Sequence, residues 1–322
     1  MAGNDLPTID DVRDAARRIA AHVHRTPVAV SSYFDRELGA RLFFKCENQQ
    51  KVGAFKARGA TNAVLHLDDE SARGGVITHS SGNHGAALAF AAARRGIACV
   101  VVMPHDAPTI KMRAVAGYGA EIVPCARAER EAVCARIAAE RGMRLIHPFE
   151  DPDVIAGQGT AALELLEQAG ALDLVVAPVG GGGLLSGTAI VVRAAIPHAE
   201  VWGAEPAAAD DAFRSLTSGQ RQPGVVAPKS WSDGLLTGLG QRAFEILRRA
   251  GARVVTVGEG ETLQAAWAVA QRMKQVVEPS AATALAALRA RRAELGQKRV
   301  GVILSGGNTD FAWLDDPALI KD

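Results

Sequence analysis

Residues 172–196 read "LDLVVAPVGGGGLLSGTAIVVRAAI". A short apolar run rich in β-branched residues ends in four consecutive glycines, and a helix-length apolar segment follows. A strand whose apolar residues run continuously rather than alternating is buried on both faces, as in a parallel sheet covered by helices. Gly180, Gly181, Gly182 and Gly183 can turn their N–H groups inward as an anion nest, with a helix N-terminus behind them. Two ligands suit such a turn. One is a phosphate group. The other is a nicotinamide dinucleotide, although Glu205 is then the only candidate ribose partner and the turn comes late in the chain. No Gly-Lys-Ser/Thr follows, which excludes a nucleotide-binding P-loop.

Working outward, the same unit recurs. "GGVITHS" is followed by helix "HGAALAFAAARR", "IACVVVMP" by "PTIKMRAVAGYG" and "AEIVPC" by "AEREAVCARIAAERG". "MRLIHP" then reads as a strand and "GQGTAALELLEQAG" as a helix. "RLFFKCE" (41–47), "AEVWGAEP", "ARVVTVG" and "RVGVILSGG" supply further strands. Near the start, Val12, Ala15, Ala16, Ile19, Ala20 and Val23 follow helical spacing. The pattern predicts an α/β fold of open, mostly parallel sheets covered by helices. The longest irregular stretch is about 218–233, and loops of that length usually carry function.

The chain has 322 residues, enough for two domains, with net charge +1, which favours neither nucleic acid nor an anionic membrane as partner. No apolar run is long enough to span a bilayer, and the first residues lack the pattern of a secretory signal. Cys46, Cys99, Cys125 and Cys134 show no Cys-x-x-Cys spacing and read as reduced thiols of a cytoplasmic protein.

Ligands of open parallel sheets bind beyond the carboxyl ends of the strands. "THSSGNHGAA" (78–87) offers hydroxyls, an amide and a helix N-terminus, which suit a carboxylate. "VILSGGN" (302–308) ends in serine and glycines. "WGAEPAAADDAF" (202–213) places Glu205, Asp210 and Asp211 together, either as ligands of a hard divalent cation or as acidic residues at a helix start. "KVGAFKARGA" (51–60) holds Lys56 between a glycine turn, Phe55 and small residues. Lysine forms a Schiff base with a carbonyl, and a phosphorylated aldehyde such as pyridoxal phosphate needs that amine, a phosphate cradle and a partner for its ring nitrogen.

Taken together, "GAFKARGA", "SSGNHG", "GQGT", "VGGGGLLSG", "AEPAAADDA", "VEPS" and "LSGGN", in this order, resemble the fold-type II pyridoxal-phosphate enzymes (tryptophan synthase β-like), and within them the serine racemase and serine/threonine dehydratase group. The resemblance runs from about residue 8 to 310. It implies that Lys56 holds the cofactor and acts as acid/base on one face of the substrate, with Phe55 beside the ring. Asn83 would meet the phenolic oxygen, Gly180–Gly183 and the Leu184 amide the phosphate, and Ser305 the pyridine nitrogen. Ser80, Ser81, Asn83 and His84 would surround the substrate carboxylate, and Ser81 would be the acid/base on the opposite face in a racemase. Glu205, the carbonyl of Ala209 and Asp211 would hold magnesium, calcium or manganese. The resemblance further implies two such open twisted sheets, a homodimer, a large cofactor domain from 1–74 and 151–322, and a small mobile domain, 75–150, that closes over an amino-acid substrate. It also implies that the chain, ending soon after "LSGGN", carries no C-terminal regulatory domain.

A serine at the ring nitrogen cannot hold it protonated, so carbanions are poorly stabilised and prompt loss of a β-hydroxyl is favoured. The expected reaction is β-elimination from a 3-hydroxy amino acid such as serine or threonine to a 2-oxo acid and ammonia. The alternatives are serine racemisation, or elimination from 3-hydroxyaspartate or an aryl-serine. Arg130, in "AEREAV", is either a cation for a second carboxylate or a solvated helix charge. Trp231 and Ser232, in "SWSDGLLTG" (230–238), depart from the family and would favour a bulky β-substituent if that segment lines the cleft. Ala281 stands where glycine is common.

Overall fold

The computed structural model describes residues 6–80, 82–107 and 109–319. Its strands are β1 (Val28–Ala29), β2 (Arg41–Cys46), β3 (Val76–His79), β4 (Cys99–Pro104), β5 (Glu121–Cys125), β6 (Arg144–Leu145), β7 (Leu174–Pro178), β8 (Glu200–Pro206), β9 (Arg253–Val257) and β10 (Arg299–Leu304). They form a six-stranded sheet of order β1-β2-β10-β7-β8-β9 and a four-stranded sheet of order β5-β4-β3-β6. Every pairing is parallel except β1 with β2.

Both faces of each sheet are covered. Along β7, Leu174 and Val176 enter one core while Val175 and Ala177 enter the other. The first core is closed by helices Ser32–Leu38, Glu259–Met273 and Pro279–Ala290, the second by Ile9–Ile19, Pro152–Ala169, Gly183–Ala195 and Gln241–Arg249. In the smaller sheet, Val76, Val101 and Met103 face a core shared with Ala63, Val64 and Leu88, and Ile77, Val100 and Val102 face Ile137 and Met143. Ala63 and Val64 lie on helix Lys56–His66, which packs between the two sheets' helices.

Some elements differ from the reading of the sequence. The strand expected over "MRLIHP" is only two residues long: Ile146 N–H still donates to the Ile77 carbonyl (2.9 Å), after which the chain leaves the sheet and Pro148 and Phe149 line the cleft. The helix expected from Gly157 starts at Pro152, capped by the Asp151 carboxylate, which accepts from the N–H groups of Asp153 and Val154. The first helix ends at Ile19 rather than Val23. Helices Gln241–Arg249, Glu259–Met273 and Pro279–Ala290 are additional to those expected from the sequence. Ala281 is buried in the last of these, where its methyl joins the core. No described helix is long and apolar enough to cross a membrane.

Candidate active site

Lys56 opens helix Lys56–His66. The turn before it is tied to the turn after β10. Phe55 N–H donates to the Ser305 carbonyl (2.9 Å) and Gly307 N–H to the Gly53 carbonyl (2.9 Å). Val52 and Gly53 both have positive φ, 56° and 70°, so the chain reverses sharply and presents Lys56 to the cleft. Lys56 Nζ donates to the Pro148 carbonyl (2.8 Å) and lies 5.1 Å from the centre of the Phe55 ring. Burial, with no carboxylate opposing it, pushes its amine down to about 8.

The cleft around Lys56 holds a cavity of about 120 Å³. Two helix N-termini open into it. At the first, the N–H groups of Gly180 to Leu185 have no partner among the described residues. The glycines there are buried, and such buried donors are rarely left unpaired. A side chain on Gly180 would come within 2.8 Å of the Leu235 Cα, and one on Gly181 would strike the Phe149 ring, so the backbone itself forms the floor. At the second, helix Asn83–Arg95, the N–H groups of Asn83 and His84 are unpartnered among the described residues, and the Ser80 hydroxyl accepts from Gly82 N–H (3.2 Å). Ser305 also lines the cleft.

Ser80, Asn83, His84, Phe55, Lys56, Gly180–Gly183, Leu184, Ser305 and Arg130 all line this one cleft. Ser81 lies outside the described residues. His84 is buried, and its Nε2 lies 3.2 Å from the Ile146 carbonyl, which can only accept. Burial, then the nearby Lys56 charge, holds the ring neutral, so Nδ1 is a free acceptor with no partner. His84 therefore offers an anion its backbone N–H rather than its ring. Arg130 sits at the rim beside Glu131 and has no ion-pair partner among the described residues. Burial, the neighbouring His79 and the charges of Lys56 and Arg130 drive His147 down to about 3.

Other cleft residues were given no role in the sequence reading. Glu278 accepts from Asn83 Nδ2 (2.8 Å), while Asn308 donates to Asn83 Oδ1 (2.9 Å), so this carboxamide is held from both sides. Burial pushes the Glu278 carboxyl up to about 7. Lys111 pairs with Asp233. Phe149 packs against Gly181. "VEPS" and Asp-Gly mark Glu278 and Asp233 only as positions within motifs; nothing local marks Lys111.

The segment 230–238 divides. Asp233, Gly234, Leu235 and Thr237 line the cleft. Trp231 faces outward, its indole N–H donating to Asp316 (2.7 Å), and Ser232 is buried beneath it. The expectation that Trp231 favours a bulky or aryl substituent is therefore corrected.

Away from the cleft, Glu205 ends β8 and accepts from the N–H groups of Ala212 and Phe213 (2.8 Å each), capping helix Asp211–Ser218. Asp211 accepts from Leu239 N–H (2.6 Å). Both carboxylates are buried and have no cationic partner among the described residues, whereas the neighbouring Asp210 pairs with Arg214. Burial pushes Glu205 up to about 8 and raises Asp211. Among the described residues no cluster of three or more His, Cys, Asp or Glu forms a metal site; this pair plus the Ala209 carbonyl is a smaller set.

A sheltered amine, six unpaired N–H groups suited to phosphate and a serine hydroxyl fit a phosphorylated carbonyl cofactor. The comparisons agree. Serine racemase of Dictyostelium discoideum is 46% identical over 312 residues, covering 95% of this chain and 96% of that protein. The beta-hydroxyaspartate dehydratase of Paracoccus denitrificans is 45% identical over 311 residues, covering 95% and 98%. The solved threonine deaminase of T.th. superposes with a TM-score of 0.91 at 46% identity, covering 95% of this chain and 100% of that one. Residues 19–306 match the family described as "Pyridoxal-phosphate dependent enzyme", and the chain belongs to that family.

Proposed function

We propose that the chain eliminates water from a 3-hydroxy amino acid, releasing a 2-oxo acid and ammonia. One observation carries this reading: a desolvated lysine amine stands in a single cleft between two helix N-termini with unpaired N–H groups, one suited to phosphate and one to carboxylate. When bound, pyridoxal phosphate supplies the carbonyl that condenses with amines and the electron sink for the α-carbon. The N–H groups of Gly180 to Leu185 would hold its phosphate, and Asn83, fixed by Glu278 and Asn308, would meet its ring. Ser305 would bring no charge to the ring nitrogen, and an uncharged partner there would favour early loss of the β-hydroxyl. The Ser80 hydroxyl and the N–H groups of Asn83 and His84 take the α-carboxylate. Lys56 Nζ, lowered to about 8, removes the α-proton.

The second reading is a dicarboxylic substrate, 3-hydroxyaspartate, and Arg130 supports it as a rim cation without an ion-pair partner among the described residues. Racemisation with Lys56 and Ser81 on opposite faces is proposed as a side activity of the same site. We also propose that Glu205, the Ala209 carbonyl and Asp211 bind a divalent cation, since two buried carboxylates lack a positive partner among the described residues. The segment 75–150, which contains β3–β6, is proposed to move as a unit over the substrate. The homodimer is proposed on family resemblance alone. The cytoplasm is proposed because Cys46, Cys99, Cys125 and Cys134 are all free and buried.

The test is 2-oxo acid release and chiral analysis over serine, threonine, 3-hydroxyaspartate and phenylserine, with borohydride trapping. Oxo acid from at least one of them, and cofactor fixed on Lys56, is expected. Absence of both overturns the reading. Arg130→Ala should raise KM for 3-hydroxyaspartate about 10-fold more than for serine; equal effects remove Arg130 from substrate selection.

A further inference from the structure

Lys111 is the buried cation of the cleft that the reaction above does not use. It stands on helix Thr109–Gly117, which belongs to the four-stranded sheet, and is 8% exposed. Its ammonium crosses the cleft to Asp233, in the loop after helix Asp211–Ser218 of the other sheet. Burial alone would lower its amine, but the Asp233 and Glu278 carboxylates outweigh burial and hold it above the usual lysine value. The charged form is therefore the one that occupies this place.

Two further observations give the pair a purpose. The Lys111 stem runs along Gly82: a Cβ on that glycine would lie 3.1 Å from Lys111 Cδ and 3.4 Å from Nζ. Gly82 is the residue whose carbonyl starts helix Asn83–Arg95, accepting from Gly85 N–H (3.1 Å), so its placement sets the direction of the free N–H groups of Asn83 and His84. In addition, Lys111, Asp233 and Glu278 line both the cleft and an adjoining cavity walled by Ile110, Trp231 and Trp313. The ion pair thus forms the partition between the two spaces.

We infer that Lys111 is a positioning residue for substrate recognition: its stem backs the turn at Gly82 and its ammonium anchors that turn to the opposite wall through Asp233. This deepens the proposed function and rests on its assignment of the turn to the α-carboxylate. The two walls of the cleft come from different sheets, so the turn keeps its aim only while they are joined.

The test uses the purified full chain with its cofactor. Lys111→Met keeps the stem and removes the charge. It should raise KM for the amino acid about 10-fold while kcat changes less than about 3-fold, the signature of lost binding rather than lost chemistry. Hydrogen exchange at the amides of 82–86 should quicken, with helix Pro279–Ala290 unchanged. Asp233→Asn, which keeps the shape of the side chain, should give the same signature, and the double variant should be no worse than either single change. Lys111→Arg should restore KM. Unaltered exchange at 82–86, a loss of kcat with KM intact, or a silent Asp233→Asn overturns the inference. The exchange measurement needs no turnover. A loosened turn in a protein inactive on every hydroxy amino acid would sustain the role of Lys111 and sink the functional reading instead.

Discussion

At the residue scale, Lys56 is tuned by what it lacks. Its one hydrogen-bond partner among the described residues is a carbonyl, and no carboxylate offsets its desolvation. Only a neutral amine attacks an aldehyde, so the cofactor-free protein should take up pyridoxal phosphate at a rate that rises about 10-fold per pH unit below ~8 and levels above it. Stopped-flow absorbance at several pH values checks this; a rate still climbing steeply at pH ~9–10 would mean an ordinary lysine. Lys56→Ala should show no uptake into a covalent adduct. Lys56, Asn83 and Gly180–Gly183 could be singled out because each sits in a short run of small residues, but their expected roles came from several such motifs standing in one order, not from any one of them. Lys111, Asp233 and Glu278 form a network from three distant segments, and no local pattern announces a contact across more than a hundred residues.

At the scale of elements, helix Lys56–His66 is held from below. Arg58 is fully buried and donates to Glu47 through Nε (2.7 Å) and to Glu164 through Nη1 (2.8 Å), while Lys45 donates to Glu164 (2.6 Å) and to the Thr26 carbonyl (2.7 Å). The cluster balances two cations against two carboxylates, and Arg58 lies two residues from Lys56. Removing one member leaves buried charge unpaired. Arg58→Met should therefore cost about 3–5 kcal/mol, read as a lowered denaturant midpoint. A cost under ~1 kcal/mol would mean the cluster is solvated. The helix crosses Pro152–Ala169 where Gly59 meets Gly157, and a Cβ on Gly157 would lie 2.6 Å from the Gly59 Cα. "GQGT" was visible as a motif, but its reason, a close helix crossing, needs both partners in view. In helix Glu259–Met273 alanine and charged residues blur the apolar stripe, whereas in Gln241–Arg249 the stripe of Ala243, Phe244, Ile246 and Leu247 was open to a sequence reading and was passed over.

At the scale of the whole molecule, parallel strands ending in glycine, serine and acidic turns made the α/β architecture legible, and the family resemblance implied its two sheets; the strand order within each sheet required the pairings themselves. One strand end carries charge the fold does not balance. Glu205 is raised to about 8 and Glu278 to about 7, both mainly by burial. Between about pH 4.5 and 8 the folded chain therefore holds protons that the unfolded chain releases, so stability falls as pH rises through that window. A divalent cation at Glu205 and Asp211 would displace the proton and bind only the folded form, which removes the Glu205 share of the slope. The melting temperature of chelator-treated protein should drop on the order of 5 °C from pH 5 to 8. Millimolar magnesium, calcium or manganese should restore it at pH 8 and do little at pH 5. Glu205→Gln should flatten part of the slope and abolish the cation effect together. A cation effect equal at both pH values, or one that persists in Glu205→Gln, would place the ion elsewhere and leave Glu205 as a helix cap alone.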